Sequence, residues 1–426
     1  MGERHGLEVR MLRTTASKKR VFIWNSMGSA VYAVSSFLLL IIVVRVCGVD
    51  EGGVFSIGYA IAQLMLTIGV FEATTFFATD AENRFTYAQY LGFKLVTCGL
   101  MIVASIVYIT SFGYDEHKAL VAYSLCLFRL FEALSQYWFA AFQKENRLDI
   151  GGFSTTWRSA LSIAVFALTL IVTRDVVVSM VLSAASEALW ILGYDVPRLR
   201  MIRRVGRPDF SLKPLGALFA ACLPLFVSSF LAIYLGNVCK YAIDAVGTEQ
   251  MQTVFNVLFM PSFVINLFVN FFIRPSLTHM ADLWLQRDVR AFAGVILKLL
   301  FAVVCITAFV VVGCVFLGIP VLELFYGIDL AGYLPALIVL LVGGGFLSAS
   351  TVFFNSMVII RAQNGVLVAY ALAIVIAHLV ATPFIVAAGV MGASVAYAVS
   401  CAGLLACFVL VFAWASRRRV KAWERD

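Results

Sequence analysis

Charged residues are scarce in this sequence: Asp, Glu, Lys and Arg make up 13% of its 426 residues, while 62% are apolar. Ordinary soluble domains carry about 25% charged and roughly 45–50% apolar residues, so this composition excludes a soluble globular protein. At roughly 20 apolar residues per crossing of the bilayer, the length accommodates about a dozen transmembrane helices and leaves little chain for an extramembrane domain. Any function is therefore expected to lie within the membrane.

Signatures of enzymes, metal sites and disulfide frameworks are also missing. The sequence contains neither a His-Glu-x-x-His zinc motif nor a P-loop, and no predicted exterior loop exceeds about 15 residues. The nine cysteines are scattered through apolar stretches without the spacing of a disulfide framework or a metal site. We therefore expect a protein that is not an enzyme and that uses no cofactor and no bound metal.

Twelve apolar stretches, separated by clusters of charge, glycine or proline, predict an all-α integral membrane protein with twelve transmembrane helices. The first stretch follows a basic segment without a small-residue cleavage site, so we expect it to remain as the first transmembrane helix. The predicted spans lie near 21–47, 54–78, 89–111, 119–142, 150–172, 176–193, 214–239, 250–273, 292–317, 333–360, 365–387 and 391–415.

Lysine and arginine are distributed unequally between the two sides of these spans. With both termini inside, the cytoplasmic segments carry 23 of them and the exterior loops only three, namely Lys118, Arg174 and Lys240. Because short loops rich in these residues stay on the cytoplasmic side, the sequence predicts that both termini are cytoplasmic. Topology thereby accounts for most of the net charge of +8, and no nucleic-acid partner is expected.

A long basic loop divides the spans into two six-helix halves. The predicted organisation is a cytoplasmic basic tail at 1–20, a first half at 21–193, a basic linker at 194–213, a second half at 214–415 and a basic tail at 416–426. The run Val-Ser-Ser-Phe-Leu occurs at 34–38 and again at 227–231, each time followed by a cation near the outer span end, Arg45 or Lys240. Halves that both begin inside are related by an axis along the membrane normal.

Charges within the spans of the first half need an explanation, because a charge near the bilayer centre costs on the order of 2.5–3.5 kcal/mol. Arg129 and Glu132 lie mid-span at i, i+3, so they project from one helix face and can neutralise each other. Arg158 lies roughly 12 Å into the fifth span, and Glu72 and Glu187 lie in the cytoplasmic halves of the second and sixth. A solvated substrate cavity explains this group best, and the alternative is an ion-pair network that fixes helix packing.

Amides characterise the second half. A row of asparagines occupies the eighth span: Asn256, Asn266 and Asn270. In the same span Pro261 is expected to break the helix, and Arg274-Pro275 is expected to end it. Such a row can hydrogen-bond hydroxyl-rich ligands or join neighbouring helices, and both interpretations stay open.

Several other polar residues have two interpretations each. Four cations lie within about a turn of a span end, where long side chains can reach the lipid headgroups: Lys94, Lys298, Arg45 and Arg274. The alternative is that each faces an aqueous cavity or a partner. His378 lies in the middle of the eleventh span, where it suits either a proton relay or helix packing.

Five short segments resemble the polysaccharide-export branch, the Wzx-type flippases, of the multidrug/oligosaccharidyl-lipid/polysaccharide exporter superfamily. The resemblance extends over nearly the whole chain, and the segments are Asn25-Ser26-Met27-Gly28, the first exterior turn from Arg45 to Phe55, Ala78-Thr79-Asp80, Arg274-Pro275-Ser276-Leu277 and Gly389-Val390-Met391-Gly392-Ala393-Ser394. Phe77 to Asp80 and Arg45 to Gly48 are similar to the subset that handles teichoic-acid or capsule repeat units.

The resemblance implies a flippase of the bacterial cytoplasmic membrane that moves a polyprenyl-pyrophosphate-linked oligosaccharide to the outer leaflet by alternating access. Guanidinium groups offer a pyrophosphate bidentate donors, and the polyprenyl tail would stay among membrane lipids. Partner glycan-assembly enzymes and a monomeric state are also expected. The candidate substrate-binding residues are Arg45, Arg129, Arg158, Lys240, Asn266, Asn270 and Arg274. The candidate carboxylates for a coupling ion, H⁺ or Na⁺, are Glu132, Glu72 and Glu187.

Three other functions compete with this one. A multidrug exporter of the same superfamily would prefer an acidic lumen, whereas the charges in and beside these spans are mainly basic. A porter of the major facilitator type would carry a Gly-x-x-x-Asp-Arg-x-Gly-Arg-Arg loop after its second helix. This chain lacks that motif and has Asp-Ala-Glu-Asn-Arg-Phe at positions 80–85. A membrane polymerase or ligase of glycan assembly would need longer exterior loops.

Overall fold

The computed structural model describes residues 17–80, 82–203 and 205–423, leaving aside the side chains at 271, 274, 275, 363 and 421–423. The regular structure of that part of the chain is helical, without a β-strand. In chain order its helices are α1 (Lys18–Cys47), α2 (Val49–Val70), α3 (Ala73–Thr79), α4 (Tyr87–Ser111), α5 (Glu116–Lys144), α6 (Leu148–Thr173), α7 (Val176–Trp190), a π-helical turn (Ile191–Asp195), α8 (Val196–Ile202), α9 (Leu212–Val246), α10 (Glu249–Leu285), α11 (Val289–Tyr326), α12 (Leu334–Ile359) and α13 (Gln363–Trp423).

Eleven helical stretches of the described residues are long and apolar enough to cross a membrane. Twelve predicted spans are consistent with this number, because the last stretch, Asn364–Val420, has 57 residues. At 1.5 Å per residue it would be roughly 85 Å long, nearly three times the hydrocarbon core of about 30 Å. Its backbone leaves the helical region at Ala388 and Gly389, within the gap predicted between the last two spans. Gly389 has φ 56° and ψ −131°, a combination that favours glycine.

The second span is broken rather than continuous. Phe71 and Glu72 adopt the left-handed conformation, with φ of 47° and 53°, so α2 ends before them and α3 begins after them. Lys94 Nζ donates to the carbonyl oxygens of Gly69 at 3.0 Å and Val70 at 3.1 Å. A cation is favourable at the negative end of a helix. The expectation that Lys94 reaches the headgroups is wrong, because these carbonyls hold its side chain in the protein interior.

Two glycines bring α1 and α6 together. A Cβ atom on Gly28 would lie 2.8 Å from the Gly152 carbonyl oxygen, and one on Gly152 would lie 2.5 Å from the Trp24 carbonyl carbon. Helix backbones approach this closely only where side chains are absent. The crossing places Tyr32, one turn beyond Gly28, beside the polar face of α6.

The sixth span extends beyond its predicted end at 193. A π-helical turn over Ile191–Asp195 joins α7 to α8, so the helical path continues to Ile202. The first part of the predicted linker is therefore helical. A π turn inserts one extra residue into a helix and rotates the side chains that follow it.

The eighth span also differs from its predicted form. Helix α10 runs without interruption from Glu249 to Leu285, through Pro261 and past residues 274 and 275, so the expected break and the expected end are both wrong. A long transmembrane helix tolerates proline where local adjustments satisfy the freed carbonyl group.

Packing divides the chain into two compact units, Met1–Phe230 and Leu231–Asp426. The division falls inside α9, so this helix contributes residues to both units. In the first unit a buried aromatic cluster joins α3, α4 and α5, where the Phe77 ring stacks on Tyr90 at 4.1 Å between centroids and on Tyr137 at 5.5 Å. The division into halves at 194–213 stays a prediction, because packing units and repeated halves need not share a boundary.

Candidate functional site

Two buried ion pairs form the centre of the first unit. Arg129 pairs with Glu132 one turn further along α5, as their spacing predicts. Arg158 on α6 pairs with Glu187 on α7, with Nη1 and Oε2 2.9 Å apart. The four side chains are each at most 4% exposed. Each arginine therefore has a carboxylate partner in this conformation.

Two tyrosines complete the Arg129–Glu132 pair from the neighbouring helices. The Tyr32 hydroxyl of α1 donates to Glu132 Oε1. The Tyr59 ring of α2 lies 4.5 Å from Arg129 Cζ, a cation–π distance. The sequence analysis did not identify either tyrosine as a site residue. Their hydroxyl-bearing rings in otherwise apolar stretches were the signal that could have identified them.

A narrow crevice joins the two ion pairs. Its polar lining comes from α1, α5, α6 and α7 and comprises Tyr32, Ser35, Arg129, Glu132, Arg158, Ser159, Ser162 and Glu187. The free space inside it is about that of one water molecule. The crevice therefore admits a proton or a water in this conformation, but not a pyrophosphate or a sugar.

A third buried carboxylate, Asp195, lies at the end of the π turn. It is 2% exposed and lines a second small pocket with Ser135, Ser154, Thr155 and Arg158. Ser154 accepts from Trp190 Nε1 at 3.0 Å and also hydrogen-bonds the Asp195 side chain. Among the described residues, nothing hydrogen-bonds the other carboxylate oxygen, Oδ1. The sequence prediction missed Asp195 because it ended the sixth span at 193.

Two of the predicted site residues of the first unit lie away from this cluster. Arg45 is exposed in the last turn of α1, roughly 20 Å along the helix from Tyr32. Glu72 lies at the break of the second span, where it accepts from Ser229 Oγ at 2.6 Å and Thr75 Oγ1 at 3.4 Å. Neither residue therefore joins the ion pairs.

Among the predicted site residues of the second unit whose side chains are described, Lys240 is the most buried. It is 9% exposed, and its Nζ lies 4.9 Å from the centroid of the Phe259 ring. No carboxylate of the described residues forms an ion pair with it. The ammonium group is thus held in the protein by an aromatic face and without a counter-charge.

The amides of α10 pair with each other. Asn270 Nδ2 donates to the side-chain oxygen of Asn266 at 2.6 Å and to its backbone oxygen at 2.8 Å, which places the two on one face. Asn256 donates to the Gln252 carbonyl at 2.8 Å. Arg274 lies in the same helix, and its side chain is outside the described part.

His378 and Tyr234 form a polar pair elsewhere in the second unit. The Tyr234 hydroxyl lies 2.9 Å from His378 Nε2. His378 is exposed on α13, and its ring centroid lies 5.8 Å from that of Tyr234 on α9, so both interpretations of this histidine stay open.

The chain resembles several solved structures over nearly its whole length. It aligns with an inward-facing multidrug resistance MATE family transporter of the MOP superfamily at a TM-score of 0.71 and 16% identity, covering 92% of this chain and 96% of that one. The chain has the MATE transporter fold. A MOP superfamily transporter from Pyrococcus furiosus, described as having a binding pocket of reverse polarity, aligns at a TM-score of 0.60 and 16% identity over 98% of both chains.

A third similar structure is the MATE transporter VcmN of Vibrio cholerae, with a TM-score of 0.60 and 11% identity over 96% of this chain and 98% of that one. No protein-family model matches the sequence, and no curated protein sequence matches it. These identities support a shared MATE fold and a multi-pass membrane protein, while the substrate has to be argued from this chain's own residues.

The MATE-fold chain thus holds two sites of different charge. The first unit has a compact cluster of arginines and carboxylates around a crevice the size of a water molecule. The second unit has a buried, unneutralised ammonium group at Lys240. No three His, Cys, Asp or Glu side chains of the described part are grouped so that they could hold a metal ion.

Proposed function

We propose that this MATE-fold protein is an alternating-access flippase of a bacterial cytoplasmic membrane. Its substrate would be a polyprenyl-pyrophosphate-linked oligosaccharide, such as a repeat unit of a surface polysaccharide or teichoic acid. The substrate would move from the cytoplasmic to the outer leaflet while its lipid tail stays among membrane lipids. We expect it to act as a monomer beside glycan-assembly enzymes.

Lys240 is the observation that carries this proposal. A charge removed from water without a partner is unfavourable by several kcal/mol, so a buried ammonium group is retained where an anion binds it. It lies six residues before the end of α9, roughly 9 Å from the helix end, within reach of a headgroup that crosses the membrane. A pyrophosphate supplies the missing negative charge.

The arginines of the first unit would contribute at another stage of the cycle. Arg129 and Arg158 are occupied by Glu132 and Glu187 here, so neither is available to an anion until its pair opens. Opening would turn two neutral pairs into two bidentate donors for phosphate oxygens. A site that binds anions only when open suits a carrier, which must release its substrate on the far side.

A multidrug exporter is the second candidate function, and one observation favours it. The buried cluster around Arg129 and Arg158 has three carboxylates, Glu132, Glu187 and Asp195, so it carries one excess negative charge when all three are ionised. A cationic drug would be attracted to such a site. One structure with this fold is described as a multidrug resistance transporter.

The deciding experiment is reconstitution into liposomes that contain a fluorescent polyprenyl-pyrophosphate-linked oligosaccharide, with an impermeant quencher reporting the leaflet. We expect Lys240→Gln to slow flipping about 10- to 100-fold, because a charge-assisted hydrogen bond contributes roughly 1.5–3 kcal/mol. Lys240→Arg should retain most activity. Lys298→Gln removes an exposed lysine of α11 and is the matched control.

Equal flipping by Lys240→Gln and the unmodified protein would contradict the role of Lys240. Efflux of a cationic dye such as ethidium, without any flipping of the lipid-linked probe, would select the multidrug exporter instead.

A further inference from the structure

The charges of the buried cluster in the first unit do not balance. Arg129 and Arg158 supply two positive charges, whereas Glu132, Glu187 and Asp195 supply three negative ones when all are ionised. The tyrosines at the cluster are uncharged at neutral pH, since phenols ionise near pH 10. One uncompensated negative charge would remain in surroundings of low dielectric constant, which is strongly unfavourable.

The excess charge belongs to one identifiable carboxylate. Glu132 receives Arg129 on one oxygen and Tyr32 on the other. Glu187 is bonded to Arg158. Asp195 has Ser154 as its hydrogen-bond partner, and within the described chain its Oδ1 has no partner at all.

We propose that Asp195 is a proton-binding site and that the proton it takes up and releases is the coupling ion of transport. This inference rests on the proposed transport activity and adds the ion, the residue and the number of charges to it. A protonated Asp195 leaves the cluster neutral, with two arginines facing two carboxylates.

The surroundings of Asp195 favour a proton over a metal cation. Apart from Asp195, the polar side chains lining this pocket are the hydroxyls of Ser135, Ser154 and Thr155 and the guanidinium of Arg158, so no second carboxylate from the described part of the chain is present to complete the coordination of a metal cation. The pocket holds about one water molecule, so a hydrated Na⁺ does not fit, and a bare Na⁺ would have to replace its hydration shell with these few hydroxyls. A proton needs no such space and binds to one oxygen.

Few other charged or polar side chains surround Asp195. From α6 it faces Arg158, Ser154 and Thr155, and from α5 it faces Ser135. Tyr194 is its neighbour on the π turn and interacts in turn with three more charged residues, Arg198, Asp149 and Arg20. Among the described residues, Arg158 is the one cation that lines the Asp195 pocket.

Arg158 connects the proton to the rest of the cluster, since it lines both pockets. In this structure it is bound to Glu187. When the proton leaves Asp195 for water, the new carboxylate attracts the same guanidinium and competes with Glu187 for it. Loss of one proton thus provides a force that opens the Arg158–Glu187 pair, which is the opening that an anionic substrate needs.

The test measures protonation without any substrate. Purified protein is titrated in detergent while infrared spectroscopy follows the carbonyl stretch of neutral carboxyl groups and a pH indicator counts released protons. We expect one buried carboxyl band that titrates, and we expect Asp195→Asn to lack it and to release one proton fewer. Asp175→Asn is the matched control, because Asp175 is an exposed cap of α7 and asparagine caps as well.

Flipping is then measured under separate pH and Na⁺ gradients. Asp195→Asn should flip at a rate that no longer responds to the pH gradient. An unchanged band and proton count in Asp195→Asn would overturn the proposal, as would a dependence on Na⁺ alone. If the titrating band is present but the protein does not flip the lipid-linked probe, the proposed function is contradicted while the proton site stands.

If Asp195→Asn fails to fold, a second variant still tests the proposal. Ser154→Ala removes the hydroxyl that bonds Asp195 and Trp190. It should move the titration of the infrared band to higher pH, because a hydrogen bond to an ionised carboxylate favours ionisation. An unshifted band in Ser154→Ala would mean that the titrating carboxyl lies elsewhere.

Discussion

Lys94 donates to the carbonyl oxygen of Gly69 at 3.0 Å, at the point where the second span breaks. Thr97 Oγ1 donates to the same oxygen at 2.9 Å. The two side chains of α4 thereby satisfy backbone groups that α2 can no longer pair internally. A buried lysine in a transmembrane helix thus stabilises a neighbouring helix end.

We expect Lys94→Met to lower the free energy of unfolding by roughly 1–3 kcal/mol, since it leaves buried carbonyl groups without a donor. Thermal unfolding in detergent, followed by circular dichroism, measures the effect. Lys298→Met is the control, because Lys298 is exposed on α11. An equal loss in both variants would mean that the carbonyl bonds of Lys94 do not stabilise the fold.

The pair formed by Arg129 and Glu132 predicts a strong coupling between their substitutions. Glu132→Gln should destabilise the protein by about 3–5 kcal/mol, because it leaves a buried guanidinium without a counter-charge. The double variant Arg129→Gln/Glu132→Gln should lose much less, and a double-mutant cycle of unfolding free energies quantifies the difference. Normal stability of Glu132→Gln together with an altered ion dependence of flipping would instead assign the coupling ion to Glu132.

Gly152 at the crossing of α1 and α6 cannot accept a side chain without moving a backbone. A methyl group there would lie 2.5 Å from the Trp24 carbonyl carbon and 2.6 Å from the Asn25 nitrogen. We expect Gly152→Ala to cost about 1–3 kcal/mol of stability. Gly99→Ala on α4, where a Cβ meets nothing within 4 Å, should be neutral or slightly stabilising.

Membrane orientation can be tested by cysteine labelling in a cysteine-free chain. Arg200→Cys in the basic linker should stay unlabelled by an impermeant maleimide applied to intact cells, because loops rich in lysine and arginine face the cytoplasm. Glu116→Cys, exposed at the start of α5, should be labelled from outside. The reverse pattern would invert the topology.

Local sequence spacing predicted part of the site and tertiary contacts determined the rest. The Arg129–Glu132 contact follows from i, i+3 spacing on one helix. The partner of Arg158, in contrast, lies 29 positions away on another helix, and no periodicity identifies it. Asp195 was placed in a loop because a π turn leaves no mark in hydropathy.

In the fold, too, some features could be predicted from the sequence and others depend on tertiary contacts. Spans could be predicted because their length and apolarity are set by the bilayer. The break at Phe71 and Glu72 could not be predicted, since neither residue is glycine or proline. The side chains that bond the Gly69 carbonyl at this break, Lys94 and Thr97, come from a neighbouring helix.

The short connection between α6 and α7 bears on how this protein enters the membrane during synthesis. Only Arg174 and Asp175 separate the two helices, so they can insert together as a hairpin. Arg158 and Glu187 would then neutralise each other inside that hairpin, instead of each helix carrying a lone charge into lipid at about 2.5–3.5 kcal/mol. The same ion pair that closes the site therefore also eases the passage of its two helices out of the translocon.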